Sequence, residues 1–183
     1  IYMRFGFIYL QMNQLSKRLE TNFMGLQLAK SEKNKGDMAI FSNQIGITYA
    51  EMKNYPAALD YFHRSLKVCE EIKKKDWIKS TELNIAFIYG KTGEYEKSIN
   101  VLLKLLEEFR EGANKDWLSK IFNSLGKNYF RLKKYALAER YYRESFEIVK
   151  AIDNKSMIRA LYLNFSDLYY ATREFKKAMD FYK

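Results

Sequence analysis

The sequence predicts an all-α solenoid built from antiparallel helix pairs, and three observations carry the prediction. A small residue recurs every 40 positions, at Gly6, Gly46, Ala86, Gly126 and Ser166. A tyrosine follows each of them three residues later, at Tyr9, Tyr49, Tyr89, Tyr129 and Tyr169. Between these marks apolar residues fall at helical spacing, as in Ile121, Leu125, Tyr129 and Leu132, the pattern of a helix that buries one face. A unit with this period cannot cover that face alone and stacks on copies of itself.

The recurrence divides the 183 residues into five units of one solenoid domain: 1–32 (partial), 33–72, 73–112, 113–152 and 153–183 (partial). In each, the first helix is expected to begin at Gly36, Asp76, Asp116 or Ser156, residue types that leave helical backbone easily or cap free amides. It stops near Lys53, Gly93, Lys133 or Arg173, and a turn of two or three residues follows. The second helix begins beside Tyr55, Tyr95, Tyr135 or Phe175. Pro56 is tolerated there because a first-turn amide has no intrahelical partner. Leu59, Phe62, Leu66 and Cys69 supply the apolar stripe of one such helix. The first unit departs from the pattern. Arg18 stands where Ala58, Ser98, Ala138 and Ala178 stand, and Asn22 where Phe62, Leu102, Tyr142 and Tyr182 stand. Leu19, Phe23 and Leu26 therefore predict that this helix is rotated by about one residue. A glycine inside a helix, as in "SLGKNYFRLKKYALA" (124–138), costs about 1 kcal/mol relative to alanine. Close approach of the partner helix, with its own small residue at 58, 98, 138 or 178, offsets that cost.

Composition narrows the function classes. The chain is 48% hydrophobic, enough for a sizeable core, and its one proline and 8 glycines are too few for a turn-rich β protein. One cysteine cannot form an intramolecular disulfide, and no CxxC or Cys/His cluster is present to hold a metal. That usage fits a reducing, cytoplasmic compartment. No apolar run approaches the ~18 residues of a membrane span. The opening "IYMRFGFIYLQM" is broken by Arg4 and lies in register with the repeat through Gly6 and Tyr9, so it reads as a helix rather than a secretory core. The chain begins with Ile1 and ends within the amphipathic "FKKAMDFYK". Solenoids close with polar caps, so these ends predict a piece of a longer protein and allow self-association through open ends.

The small residue, the aromatic three positions on, and the strings "ALDYF" (58–62) and "ALAERYY" (136–142) resemble the tetratricopeptide repeat. The resemblance extends over nearly the whole chain. The unit, as long as the step from Gly46 to Ala86, exceeds the usual repeat of roughly 34 residues. It has a longer second helix, no early tryptophan and no terminal proline. In this it is similar to arrays of bacterial regulatory and peptide-sensing proteins. The resemblance implies a right-handed α-α superhelix whose first helices line a concave groove that binds protein or peptide.

Counted from the small residue, the positions six before, two before, one after and five after share the groove face. They hold Ile40, Gln44, Ile47 and Glu51 in the second unit, and Ser80, Asn84, Phe87 and Lys91 in the third. Lys120, Ser124, Lys127 and Arg131 follow in the fourth, with Asn123 beside them, and Ala160, Asn164, Asp167 and Ala171 in the fifth. Gln44, Asn84 and Asn164 form an expected amide ladder, since amides both donate and accept along an extended peptide. Lys120, Lys127 and Arg131 form an expected cationic stripe. The fourth unit carries nine Lys/Arg against four Asp/Glu, +5 of the net +10, which suits an acidic peptide. No nucleic-acid reader signature accompanies that charge. Some relatives of this fold grip a C-terminal carboxylate with a Lys/Asn and Lys/Arg clamp. Asn84 and Lys127 match two of its positions, but Asn43, Ile47 and Asn123 fill the others, so that clamp is incomplete.

His63 is the only histidine and has no second histidine or cysteine to act with, and Cys69 reads as a core thiol. Trp77 and Trp117 stand at repeat junctions and read as packing residues. No phosphate loop or nucleophile–base set appears, so no enzyme activity, cofactor or metal is expected. The sequence therefore predicts a non-catalytic peptide- or protein-binding scaffold. The alternative is the ligand-sensing half of a peptide-responsive bacterial regulator whose output domain lies elsewhere.

Overall fold

A computed structural model describes residues 14–108 and 114–182, and among these it contains nine helices and no strand. They are α1 (Leu15–Ser31), α2 (Lys35–Glu51), α3 (Tyr55–Glu71), α4 (Lys75–Thr92), α5 (Tyr95–Glu108), α6 (Lys115–Arg131), α7 (Tyr135–Ala151), α8 (Lys155–Ala171) and α9 (Phe175–Tyr182). The all-α helical-repeat fold expected from the recurring small residues is the one the chain adopts. Gly6 and Tyr9 lie outside the described residues.

The helix starts differ from expectation in a way that has a simple cause. α2, α4, α6 and α8 begin at a lysine one residue before the expected site. For three of them the cap is an asparagine just outside. Asn34 accepts from the Asp37 amide at 3.1 Å, Asn114 from Asp116 at 2.9 Å and Asn154 from Met157 at 3.1 Å. Asn54 does the same for α3, accepting from Ala57 at 3.3 Å. Asparagine is among the strongest N-caps, and its oxygen satisfies an amide the helix leaves unpaired. The second helices begin at Tyr55, Tyr95, Tyr135 and Phe175, as the sequence predicted.

Every described turn closes on a residue in the left-handed region. These are Lys33, Lys53, Lys73, Gly93, Lys133, Asp153 and Arg173, with φ between 49° and 87°. The bonds around Lys53 show the reason. Its amide reaches the Ala50 carbonyl at 3.0 Å, and the next amide, Asn54, reaches Tyr49 at 2.9 Å. This pair of bonds satisfies the last carbonyls of a helix and requires positive φ at the residue after the cap. The same pair recurs at Lys33, Lys73, Lys133, Asp153 and Arg173.

The chain divides into two compact units, Ile1–Ile88 and Tyr89–Lys183. In the first, Leu26, Ala29, Phe41 and Ile45 are buried together, with Leu19, Phe23, Met38, Tyr49 and Tyr61 packed against them. The predicted rotation of α1 does not occur. Arg18 and Asn22 are themselves buried, at 2% and 3% exposure. The guanidinium is accommodated because its Nε donates to Thr48 Oγ1 at 2.9 Å and its Nη2 pairs with Glu51 at 2.9 Å. In the second unit Tyr142, Val149, Leu161, Phe165, Leu168 and Tyr169 form the core with Ala138 and Ala178. The repeated tyrosines are not all core residues. Tyr169 is buried, whereas Tyr49 and Tyr129 are half-buried and lie against Tyr61 and Tyr141 at ring separations of 5.8 and 5.4 Å.

The contact glycines pack against rings. A Cβ on Gly46 would sit 2.6 Å from the Phe62 ring and 3.2 Å from the Ala58 carbonyl oxygen. A Cβ on Gly126 would meet Tyr142 at 2.4 Å, and one on Gly25 would meet Phe41 at 2.3 Å. Each pair has the same sequence separation, centred on its turn, as antiparallel helices joined by a short turn require. Ser166 makes the expected approach to position 178, donating its hydroxyl to the Ala178 carbonyl at 3.2 Å.

Candidate functional site

The face of the first helices carries polar residues that the repeat sets at fixed places. In the first unit, α2 and α4 bring Asn43 and Asn84 together, with Asn84 Nδ2 donating to Asn43 Oδ1 at 3.1 Å. In the second, α6 and α8 do the same for Asn123 and Asn164, with Asn164 Nδ2 donating to Asn123 Oδ1 at 2.8 Å. The amides thus join in pairs 41 residues apart. Of the expected ladder of Gln44, Asn84 and Asn164, Asn84 and Asn164 each bond a neighbouring asparagine, and Asn43 rather than Gln44 is the partner of Asn84. Gln44 is exposed and Asn84 and Asn164 are half-buried, while Asn123 is buried at 7% exposure and donates to Met157 Sδ at 3.8 Å. The signal for Asn43 was present in the sequence, since the pair Asn43 and Asn84 recurs two repeats later as Asn123 and Asn164.

In the first unit a cleft of about 160 Å³ opens beside the Asn43–Asn84 pair, with Gln44 and Ser80 among its lining residues. Ser80 is half-buried, whereas Phe87 is exposed at 49%.

The cations lie in the second unit and differ among themselves. Lys120 is paired with Asp116 one turn earlier on α6. Lys127 has its charged form opposed by desolvation and by the nearby Lys91, which together hold its ammonium below the usual lysine range. Arg131 and Asp167 are both exposed. Burial pushes the Tyr142 phenol well above its ordinary value, Asp167 adds to that, and Arg131 acts against it. Both charges are therefore felt at the same hydroxyl.

Among the described residues no three His, Cys, Asp or Glu side chains come together as a metal would need, and no helix is long and apolar enough to cross a membrane. His63 is exposed on α3, while Cys69 is buried and burial pushes its thiol up.

The family profile described as tetratricopeptide repeat matches residues 37–111, 78–151 and 117–183. No curated protein matches in sequence. Among solved structures, the chain is similar to a Rap protein complexed with competence and sporulation factor, at TM-score 0.86 and 15% identity, over 99% of this chain and 51% of that one. It is also similar to Bacillus thuringiensis PlcR in complex with the peptide PapR7 and DNA, at TM-score 0.74 and 16% identity, over 99% and 68%. BtubC from P. vanneervenii gives TM-score 0.74 at 18% identity, over 91% and 70%. At these identities the likeness is one of fold.

Proposed function

Because the chain belongs to the tetratricopeptide repeat family, we propose that it is a non-catalytic scaffold that binds an extended peptide segment along the face of its first helices. The paired amides carry this reading. Each pair spends one N–H and one acceptor lone pair, and Asn84 and Asn164 retain a carbonyl oxygen and a second N–H that the pair does not use. An amide offering both a donor and an acceptor matches the alternation of a peptide backbone. In the second unit the partner is acidic. Lys120, Lys127 and Arg131 are all exposed on α6, and their positive charge favours an anionic ligand.

Selection from a displayed random-peptide library tests this. The parent should enrich sequences rich in Asp and Glu, and their binding should weaken as salt is added. The triple variant Lys120→Glu, Lys127→Glu, Arg131→Glu should keep its helical fold, since exposed substitutions cost within about 0.5 kcal/mol each, and should lose those sequences. Enrichment of the same peptides by the variant would refute the acidic-partner reading.

A second reading makes the array the peptide-sensing part of a regulator. The structure of PlcR with a peptide and DNA and that of Rap with competence and sporulation factor favour it. A DNA-binding or catalytic segment in the same polypeptide would decide for it.

A further inference from the structure

We propose that the cleft between α2, α3 and α4 is a socket for one branched aliphatic side chain of the bound segment, a leucine, isoleucine or valine. The proposal rests on the first-helix face being a peptide-binding surface, and it adds what that face selects in the first unit.

The floor of the cleft is formed by the buried residues Ala39, Ser65, Cys69 and Thr81. Its polar groups are already committed. Ser65 Oγ donates to the Ala39 carbonyl at 2.9 Å and Thr81 Oγ1 to the Trp77 carbonyl at 2.9 Å. With those protons spent, the floor offers methyl groups and a soft sulfur. Trp77 and Ile40 add apolar walls. None of the described lining residues is Asp, Glu, Lys, Arg or His, so a charged occupant would be desolvated without a partner. The volume, about 160 Å³, compares with the roughly 150 Å³ of an engineered apolar cavity that takes up benzene. A leucine side chain fits within it. The rim supplies what the neighbouring backbone needs, through the amides of Asn43 and Gln44 and the hydroxyl of Ser80.

The chain contains its own control two repeats further on. There Thr81 is replaced by Leu161, Cys69 by Val149, Ser80 by Ala160 and Trp77 by Met157. Leu161 and Val149 are fully buried, and Asn123 contacts the Met157 sulfur at 3.8 Å. In this second copy larger side chains are buried at the positions that Thr81 and Cys69 hold in the first.

Cys69 is the only cysteine, which makes its modification by a small methanethiosulfonate a reporter placed at the floor. N-acetyl-leucinamide should slow that modification in proportion to occupancy, and the capped aspartate and lysine analogues should not. The filled variant Thr81→Leu should unfold at the same or higher denaturant. It should also slow modification about tenfold or more, the effect of about 1.4 kcal/mol of added hindrance, and should abolish protection by the capped leucine. Equal protection by all three capped residues, or none by leucine, would overturn the socket. Unchanged modification and protection in Thr81→Leu would overturn it too. Either result would leave the peptide-binding reading standing on the library selection, whereas failure of that selection with leucine-specific protection intact would isolate a small-molecule site.

Discussion

Replacing Gly126 with alanine sets two known effects against each other. In an open helix the change stabilises by about 1 kcal/mol. Here the new Cβ would lie 2.4 and 2.5 Å from Cδ1 and Cε1 of Tyr142 and 3.2 Å from its Cγ, about 1 Å inside ordinary contact distance. The ring has nowhere to go. Tyr142 is 2% exposed, and its far side meets Phe165 edge-on at 5.7 Å. Overpacking costs roughly 1–3 kcal/mol, and an overlap this large against a wedged ring belongs at the upper end. The net expectation is a loss of about 2 kcal/mol, read from chemical denaturation together with amide exchange in α6 and α7. Leucine at 126 should lose more. The sharper test adds Tyr142→Leu, reproducing the combination of Ala86 with Leu102 that the chain carries at the equivalent positions. In that background Gly126→Ala should become neutral or stabilising, giving a coupling of about 2–3 kcal/mol. If alanine stabilises equally with tyrosine and with leucine at 142, the ring contact does not explain the glycine.

Other expectations follow from the turns, the caps and the phenols. Lys53→Gly should raise stability by about 0.5–1 kcal/mol, because glycine adopts positive φ without the steric cost that lysine bears at 60°. A lower denaturation midpoint would contradict this. Asn154→Ala should cost about 1 kcal/mol and loosen the first turn of α8, seen as faster exchange of the Met157 amide. Alkaline titration should show a phenol held back by the fold. Burial, with a hydrogen bond to Glu139, raises Tyr169 to about 12, against about 10 in an unfolded chain. A folded-state value above the unfolded one gives stability that is fully present below about pH 10 and is lost as the pH rises towards the folded value. Phenolate absorbance should therefore lag behind that of exposed tyrosine until unfolding begins, and Tyr169→Phe should remove its share of the lag.

The period of the fold was readable because packing residues repeat with it. Gly46 and Gly126, the turn positions and the starts of the second helices could all be placed from spacing alone. Arg18 could not. Its polar type argued for a rotated helix, and only Thr48 and Glu51, both on the next helix, make its burial tolerable. The asparagine caps are not legible from residue type, because Asp116 and Ser156 are acceptable caps two residues later and propensity does not decide between such close candidates. In the site, residue types were legible but partners were not. The groove count put Gln44 on the face with Asn84, whereas a one-residue offset between successive first helices gives Asn84 to Asn43. The cleft was invisible to periodicity. It arises from side-chain volume, Cys69 and Thr81 being smaller than the Val149 and Leu161 that stand in their places two repeats later.

The left-handed residues at the turns act as a phase lock on the chain. They recur at one constant interval wherever the turns are described, from Lys33 to Lys53, Lys73 and Gly93, and again from Lys133 to Asp153 and Arg173. Each described pair of bonds counts residues from the helix before to the helix after. One inserted residue within a helix would rotate everything beyond it by about 100° and carry a buried stripe such as Phe62 and Cys69 round to water. Insertions therefore belong in the turns, where the bond pattern must be broken to admit them, or else must come as whole helix pairs. An array built this way keeps every buried stripe in phase only when it is lengthened or shortened by a complete repeat at a time.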